Sequence, residues 1–399
     1  MLRGPSRKKQ MRQAEHARVS TLFRSSPDFA MQQRRALIVG GYGFFGSRLV
    51  ERLALWPDLH VIVAGRDLAS ADALVRKLQP VSAARLESAA FDVMAERFAS
   101  TIAELLPDVV IHASGPFQGH DYRVADACIR TGVHYIDLAD GREFVTGISR
   151  LNAAAIHAGV FVISGASSVP ALSSAAADRL AVGMNEVHAI EIGISPGNRT
   201  ERGLSTIESV LSYCGKPVPD AGEDRAIGWG HAYRHRYPPP VGSRLLSPCD
   251  VPDLSLLPGR YPGTPAVRFG AGLELEFLHR GMNVMAGLAR VGLVRDWSAH
   301  ARVLRRVADL FKGFGSDAGA MHVEVSGREA SGKVVVRNWQ LLATDGDGPY
   351  VPTLAAAALL RKLVRGGLTS TGAQPCIGLL SLEEFALEAS GLHITTEAW

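Results

Sequence analysis

Gly41-Tyr42-Gly43-Phe44-Phe45-Gly46 is a GxGxxG pattern placed directly after the apolar run Ala36–Val39. Phe45, Leu49 and Leu53 follow at i, i+4 and i+8, one face of a helix. In a strand–turn–helix context each glycine has a physical task. Gly41 permits the tight turn, Gly43 lets the backbone approach a diphosphate, and Gly46 lets the helix pack close to the sheet. The free N–H groups and partial positive charge of the helix start then attract phosphate.

The next strand, His60–Ala64, ends in Gly65-Arg66-Asp67. An acid directly at that strand end would bond a ribose 2′-hydroxyl and repel a 2′-phosphate. Here Gly65 and Arg66 displace it, and a guanidinium pairs well with phosphate. The expectation is therefore NADP(H), with NAD as the lesser fit. Against it stands a solvated Arg66, with Asp67 on the ribose instead of capping the helix after it. Asp92-Val93 follows a third strand, where a loop lies against adenine. Ser114-Gly115-Pro116 follows a fourth, at the crevice where strand order reverses.

For proton handling the candidates are Asp137, Asp140 and Tyr135, with His134 beside them, all around the end of a fifth strand. A carboxylate there can hold a substrate ammonium or relay a proton, although aspartates at strand ends also cap turns. His112 ends the fourth strand, where a lone histidine is more often packed core. Arg142, Arg199 and Arg202 fall in loops and could meet a substrate carboxylate. His231 and His235 share i, i+4 spacing, but Gly228, Gly230 and Pro238–Pro240 argue against a helix there. No metal site is expected.

These residues need a scaffold. Short apolar runs alternate with helical stretches: strands at 36–39, 60–64, 86–91, 109–112, 133–136 and 160–164, helices at 68–78, 122–131 and 151–157. Such alternation predicts a doubly wound parallel sheet, a Rossmann domain over 34–170. Beyond it, runs at Val187–Ile194, Leu273–Phe277, Met321–Val325 and Lys333–Leu342 read as strands, and Glu208–Tyr213 and Trp297–Phe311 as helices. They predict an α+β domain over 171–352 for substrate and dimerisation, on a mostly antiparallel sheet. A C-terminal segment over 353–399, with a helix at Thr353–Val364, is expected to pack back on the Rossmann domain.

The chain has 399 residues, 47% hydrophobic and 21% charged, the mix of a globular protein. Its net charge of +4 misleads: residues 1–35 hold nine basic and two acidic side chains, so the remainder is negative. That speaks against nucleic acid, which needs a basic folded face. Residues 1–33 read as a disordered basic tail, with a transit segment or a misassigned start as alternatives. Four scattered cysteines without a CxxC pair suit a reduced, cytoplasmic protein. The longest uncharged stretch, 158–177, is broken by glycine, proline and serines, so no membrane span is expected.

Taken jointly, Gly41–Gly46, Ala64-Gly65-Arg66, Ser114–Phe117, Cys128 with Gly132–Asp137, and Ser167-Ser168-Val169-Pro170 resemble the saccharopine dehydrogenase family across residues 35–180. Ser195–Asn198 and Gly348–Pro352 continue the resemblance more loosely. It implies hydride transfer between NAD(P)H and a carbon–nitrogen bond of an imine or amino-acid-like small molecule. It also implies a last helix returning to the first domain, and a homodimer is an open possibility. Enoyl or carbonyl reduction on a hydrophobic substrate, or a non-catalytic NADP(H)-binding module, are the alternatives.

Overall fold

Runs of valine, isoleucine and alanine buried on both faces build the first sheet. A computed structural model describes residues 33–220 and 223–399; the basic tail expected over 1–33 falls, but for Gln33, outside them. The chain opens with β1 (Arg34–Val39), α1 (Phe44–Leu53), β2 (Leu59–Gly65), α2 (Leu68–Leu78), β3 (Arg85–Ala90), α3 (Phe98–Leu105), β4 (Val109–His112) and α4 (Arg123–Thr131). It continues through β5 (His134–Asp137), α5 (Arg142–Gly147), α6 (Asn152–His157) and β6 (Phe161–Ser164). Asp67 caps α2 through a hydrogen bond from the Ala69 N–H at 3.1 Å, and Gly132 ends α4 in the left-handed region at φ 69°.

After α7 (Ser173–Ala181) the second half begins with the long strand β7 (Met184–Ser195), α8 (Leu204–Ser212) and a hairpin of β8 (Pro217–Asp220) and β9 (Glu223–Ile227). Next come β10 (Tyr233–Arg236), β11 (Ser243–Pro248), the short α9 (Asp253–Leu256), β12 (Ala266–Ala271), α10 (Glu276–Arg290) and α11 (Ala301–Asp309). Last are β13 (Gly319–Glu329), β14 (Val334–Ala343), α12 (Val351–Val364), β15 (Gly372–Pro375), α13 (Leu382–Ala389) and β16 (Ile394–Ala398).

The first sheet has the order β15-β6-β5-β4-β1-β2-β3, all parallel. Strand order reverses between β1 and β4, which puts the glycine turn after β1 beside the loop after β4. The second sheet runs β10-β11-β12-β7-β13-β14-β16, antiparallel except for the β12–β7 pair. Ile190, Ile192, Met321 and Val323 point from it into the main core. The alternate residues of β7 and β13 face the other way.

Two expectations are corrected. Leu273–Phe277 is not a strand. Its Leu-Glu-Leu-Glu-Phe alternation imitates one, but α10 starts at Glu276, and His279, Met282, Asn283 and Ala286 recur at helical spacing, with His279 and Ala286 buried. The strand is β12, seven residues earlier. The C-terminal segment also divides: β15 joins the first sheet beside β6, whereas β16 returns to the second beside β14.

Candidate active site

The glycine turn is held by close backbone packing. The N–H groups of Gly40 and Gly41 both donate to the Ala64 carbonyl, at 2.8 and 3.0 Å. The left-handed conformation belongs to Gly40, at φ 79°, and not to Gly41. A Cβ on Gly40 would lie 2.9 Å from Ser114, so glycine lets this turn touch the loop after β4. Gly46 behaves as expected: its Cβ would stand 2.0 Å from the Gly40 carbonyl oxygen, so only glycine lets α1 pack here. Gly43 takes the N-cap position of α1 with no side-chain cap, leaving the first helix N–H groups to whatever sits before them.

The neighbouring side chains divide the work. Tyr42 lies over Gly65, where a Cβ would come within 2.6 Å of its hydroxyl, and that hydroxyl accepts from the Asp67 N–H at 2.8 Å. Phe45 packs against the main core, so only its backbone faces the turn. Phe44 rests against Gly203, just before α8, under the Arg48 guanidinium at 4.1 Å. Asp67 is exposed and its carboxylate caps α2. Arg66 is exposed and makes no hydrogen bond or ion pair among the described residues. Asp92 is exposed, bonded to the Met94 N–H at 2.9 Å, and Val93 packs on the second core cluster. An uncapped helix start, a turn that excludes side chains and a free guanidinium at the end of β2 together fit a nucleotide with a 2′-phosphate.

Beside this cradle a hydrogen-bonded line runs inward from the β4 loop. Ser114 Oγ lies 2.7 Å from His112 Nε2, and His112 Nδ1 lies 3.1 Å from the Tyr135 hydroxyl. Burial holds His112 down at about 3, so its ring is neutral and can donate at one nitrogen while accepting at the other. Asp137, fully buried beneath, accepts at Oδ1 from the N–H groups of Ala139 and Gly165 and from Ser164 Oγ at 2.8–3.0 Å. Burial pushes its carboxyl up to about 6. Tyr135 and Asp137 therefore lie under the site and do not open onto it.

Asp140 is the carboxylate at the surface of the crevice. Its Oδ1 accepts from Gln118 Nε2 at 3.1 Å and its Oδ2 from Ser209 Oγ at 3.4 Å. Ser205, one turn earlier on α8, donates to the Gly115 carbonyl at 2.9 Å. Helix α8 of the second half thus docks on the loops after β4 and β5, and burial there raises the Asp140 carboxyl. Gln118, Ser205 and Ser209 escaped the sequence reading. The i, i+4 pair of serines was a usable signal, but only topology reveals what they face.

Other candidates are spent elsewhere. His134 starts β5, at the far end from the glycine turn, stacked on Phe161. Arg142 pairs with Asp250 at 2.5 Å. Arg199 donates to the Gly313 carbonyl at 3.3 Å and Arg202 to Asn198 Oδ1 at 3.2 Å. The four cysteines are free and buried, and no helix among the described residues is long and apolar enough to cross a membrane.

Comparison with known proteins places this geometry. Residues 36–163 match the saccharopine dehydrogenase NADP binding domain. No curated protein sequence matches the chain. Apo saccharopine dehydrogenase (L-Glu forming) from Saccharomyces cerevisiae superposes with a TM-score of 0.64 at 14% identity, covering 92% of this chain and 100% of that one. GenD2 from gentamicin A biosynthesis, in complex with NAD, gives 0.37 at 15% identity over 79% of this chain and 74% of its own. The first likeness is one of fold; the second is too low to argue from.

Proposed function

We propose, for a chain that is saccharopine dehydrogenase-like and an NAD(P)-dependent oxidoreductase, that it transfers hydride to or from the carbon–nitrogen bond of an imine or amino-acid-like substrate, with NADP(H) as cofactor. The observation that carries this is the meeting of the glycine cradle with the Ser114–His112–Tyr135 line and the Asp140–Gln118–Ser209 cluster at the carboxyl ends of the central strands. NADP(H), when bound, supplies the hydride. Gly40–Gly46 and Arg66 hold its phosphates. Asp140 offers a carboxylate to a substrate nitrogen, oriented by Gln118 and Ser209. Ser114 presents a hydroxyl whose proton is shared with His112 and Tyr135 behind it. Asp137 fixes the ends of β5 and β6 and supports that line from below. We read the second half, 171–352, as the part that selects substrate and joins two copies, and the free cysteines as those of a cytoplasmic protein.

Reduction of a carbonyl or enoyl group on a hydrophobic substrate is the second reading. Its support is that Arg142 is paired with Asp250, while Arg199 and Arg202 each donate within the second half, to the Gly313 carbonyl and Asn198, and not toward Asp140. A fluorescence titration with NADPH and NADH, followed by NADPH-oxidation assays with imines and with enones, separates the readings. Tight selective NADPH binding and turnover of imines, with kcat lowered about 10²–10⁴-fold in Asp140→Asn and NADPH affinity unchanged, is the expected result. Turnover of enones alone establishes the second reading; binding without turnover of either class removes both.

A further inference from the structure

The outer face of the second sheet carries a cluster that the hydride site does not use. On β13, His322 is paired with Gly193 of β7. A Cβ on Gly193 would stand 2.2 Å from His322 Cε1, so the glycine makes room for the imidazole. His235 arrives from β10 and lies parallel to that ring, centroids 3.6 Å apart at 2°. Glu191, two residues before the glycine and on the same face of β7, brings its Oε1 to 3.7 Å from His322 Nε2. One ligand atom from each residue falls within 4.8 Å of the other two.

Two features distinguish this cluster from an ordinary histidine stack. His322 is 5% exposed, yet its Nε2 has no hydrogen-bond partner, and Glu191 Oε1 stands 3.7 Å from it, beyond hydrogen-bond reach. A buried polar atom left unpaired costs about 1–3 kcal/mol, so such an orphan needs an explanation. Its other nitrogen, Nδ1, is held by the Tyr237 hydroxyl at 2.8 Å, and Tyr237 is itself 2% exposed. A ring anchored through one nitrogen, with the other left unbonded beside a carboxylate, is the starting arrangement of metal-bound histidines.

We propose that Glu191, His235 and His322 bind a divalent transition-metal ion of the zinc class. Two imidazoles and one carboxylate are a three-ligand set that leaves a fourth position for water. Zinc–ligand bonds of about 2.0–2.2 Å require donors roughly 3.3–3.6 Å apart, so the cluster closes by side-chain rotation on strands whose backbone is already paired. The ligands come from β7, β10 and β13, and the ion would tie the edge strand β10 to the middle of the sheet. Local spacing excluded a metal because it tested His235 only against His231. His235 is on a strand, and its partners lie 44 and 87 positions away.

The test uses the full chain, stripped with chelator and then titrated with zinc by calorimetry and with cobalt by visible absorption. One ion per chain, a cobalt spectrum of a low-coordinate N/O site and a zinc-dependent rise in Tm are expected. His322→Ala and His235→Ala should each weaken zinc binding at least 100-fold, and Tyr237→Phe about 10-fold, with NADPH affinity unchanged as the check on folding. If His322→Ala does not fold, the half-buried His235→Ala decides alone. Failure of the folded wild-type chain to bind zinc stoichiometrically, or equal binding by the histidine variants, overturns the site.

Discussion

The guanidinium of Arg66 stands free just past the end of β2, where we have proposed that it reads the 2′-phosphate. Arg66 is exposed, Asp67 is turned into the cap of α2, and Tyr42 covers Gly65 just before them. Arg66→Ala should therefore weaken NADPH binding by about 1.5–3 kcal/mol, the scale of a charge-assisted contact, and leave NADH nearly untouched. Equal losses for both cofactors in the same titration would remove Arg66 from the 2′-phosphate.

Asp253 shows the same scale acting on stability. It is fully buried on α9, accepts from Ser173 Oγ of α7, and burial pushes its carboxyl up to about 7. A carboxyl raised above its unfolded value of about 3.9 is neutral in the fold at low pH. Its contribution to stability is then complete below about pH 4 and is lost as pH rises through about 7. Asp253→Asn keeps an acceptor for Ser173 and removes the charge. It should raise stability by about 1–3 kcal/mol at pH 8 and change little at about pH 3.5, read by denaturant unfolding at both values. No gain at pH 8 would mean that the ionised carboxylate is better solvated than its burial implies.

At the scale of the element, the last two glycines of the turn have separable duties. A Cβ on Gly46 meets the Gly40 carbonyl at 2.0 Å, so Gly46→Ala must displace α1 and should cost about 1–3 kcal/mol of stability along with cofactor binding. A Cβ on Gly43 meets only that carbonyl, at 3.0 Å. Gly43→Ala should hold its Tm within a few degrees yet lose about 10- to 100-fold in NADPH affinity, because the backbone must approach the diphosphate there. A Gly43→Ala protein that binds normally would mean that this turn does not cradle the cofactor.

The same scale explains what local pattern could tell. Strands of the first sheet are buried on both faces, so their apolar runs stand out, and α2 with its Asp67 cap was readable to the residue. The glycine turn was readable because glycine, turn and helix are contiguous. Elsewhere the signal was not local. Five alternating residues at 273–277 outweighed the helical spacing of α10, whose apolar face is thin and interrupted by His279 and Asn283. Strand β15 has only Gly-Ala-Gln-Pro and owes its existence to the open edge of β6. Gln118, Ser205 and Ser209 are common surface types that acquire meaning only where α8 meets Asp140.

For the whole described molecule, the C-terminal segment decides how stability is shared. Helix α12 is buried along most of its length, packing on α1 and α13. The Tyr350 hydroxyl donates to Glu51 of α1 at 2.7 Å, and Arg52 donates to the Ser390 carbonyl at 3.1 Å. The segment then gives β15 to the first sheet and β16 to the second, so neither sheet is complete without it. Two halves stapled by one returning segment, and joined again where Ser205 and Ser209 meet the β4 and β5 loops, should unfold together. Calorimetry is expected to show one transition, and NADPH at about 100 times its Kd should shift all of it upward by the equivalent of about 2.7 kcal/mol. Two transitions, only one of them answering to NADPH, would mean that the halves are energetically separate. The contacts of α8 on Asp140 would then position a substrate without coupling the second sheet to the cofactor.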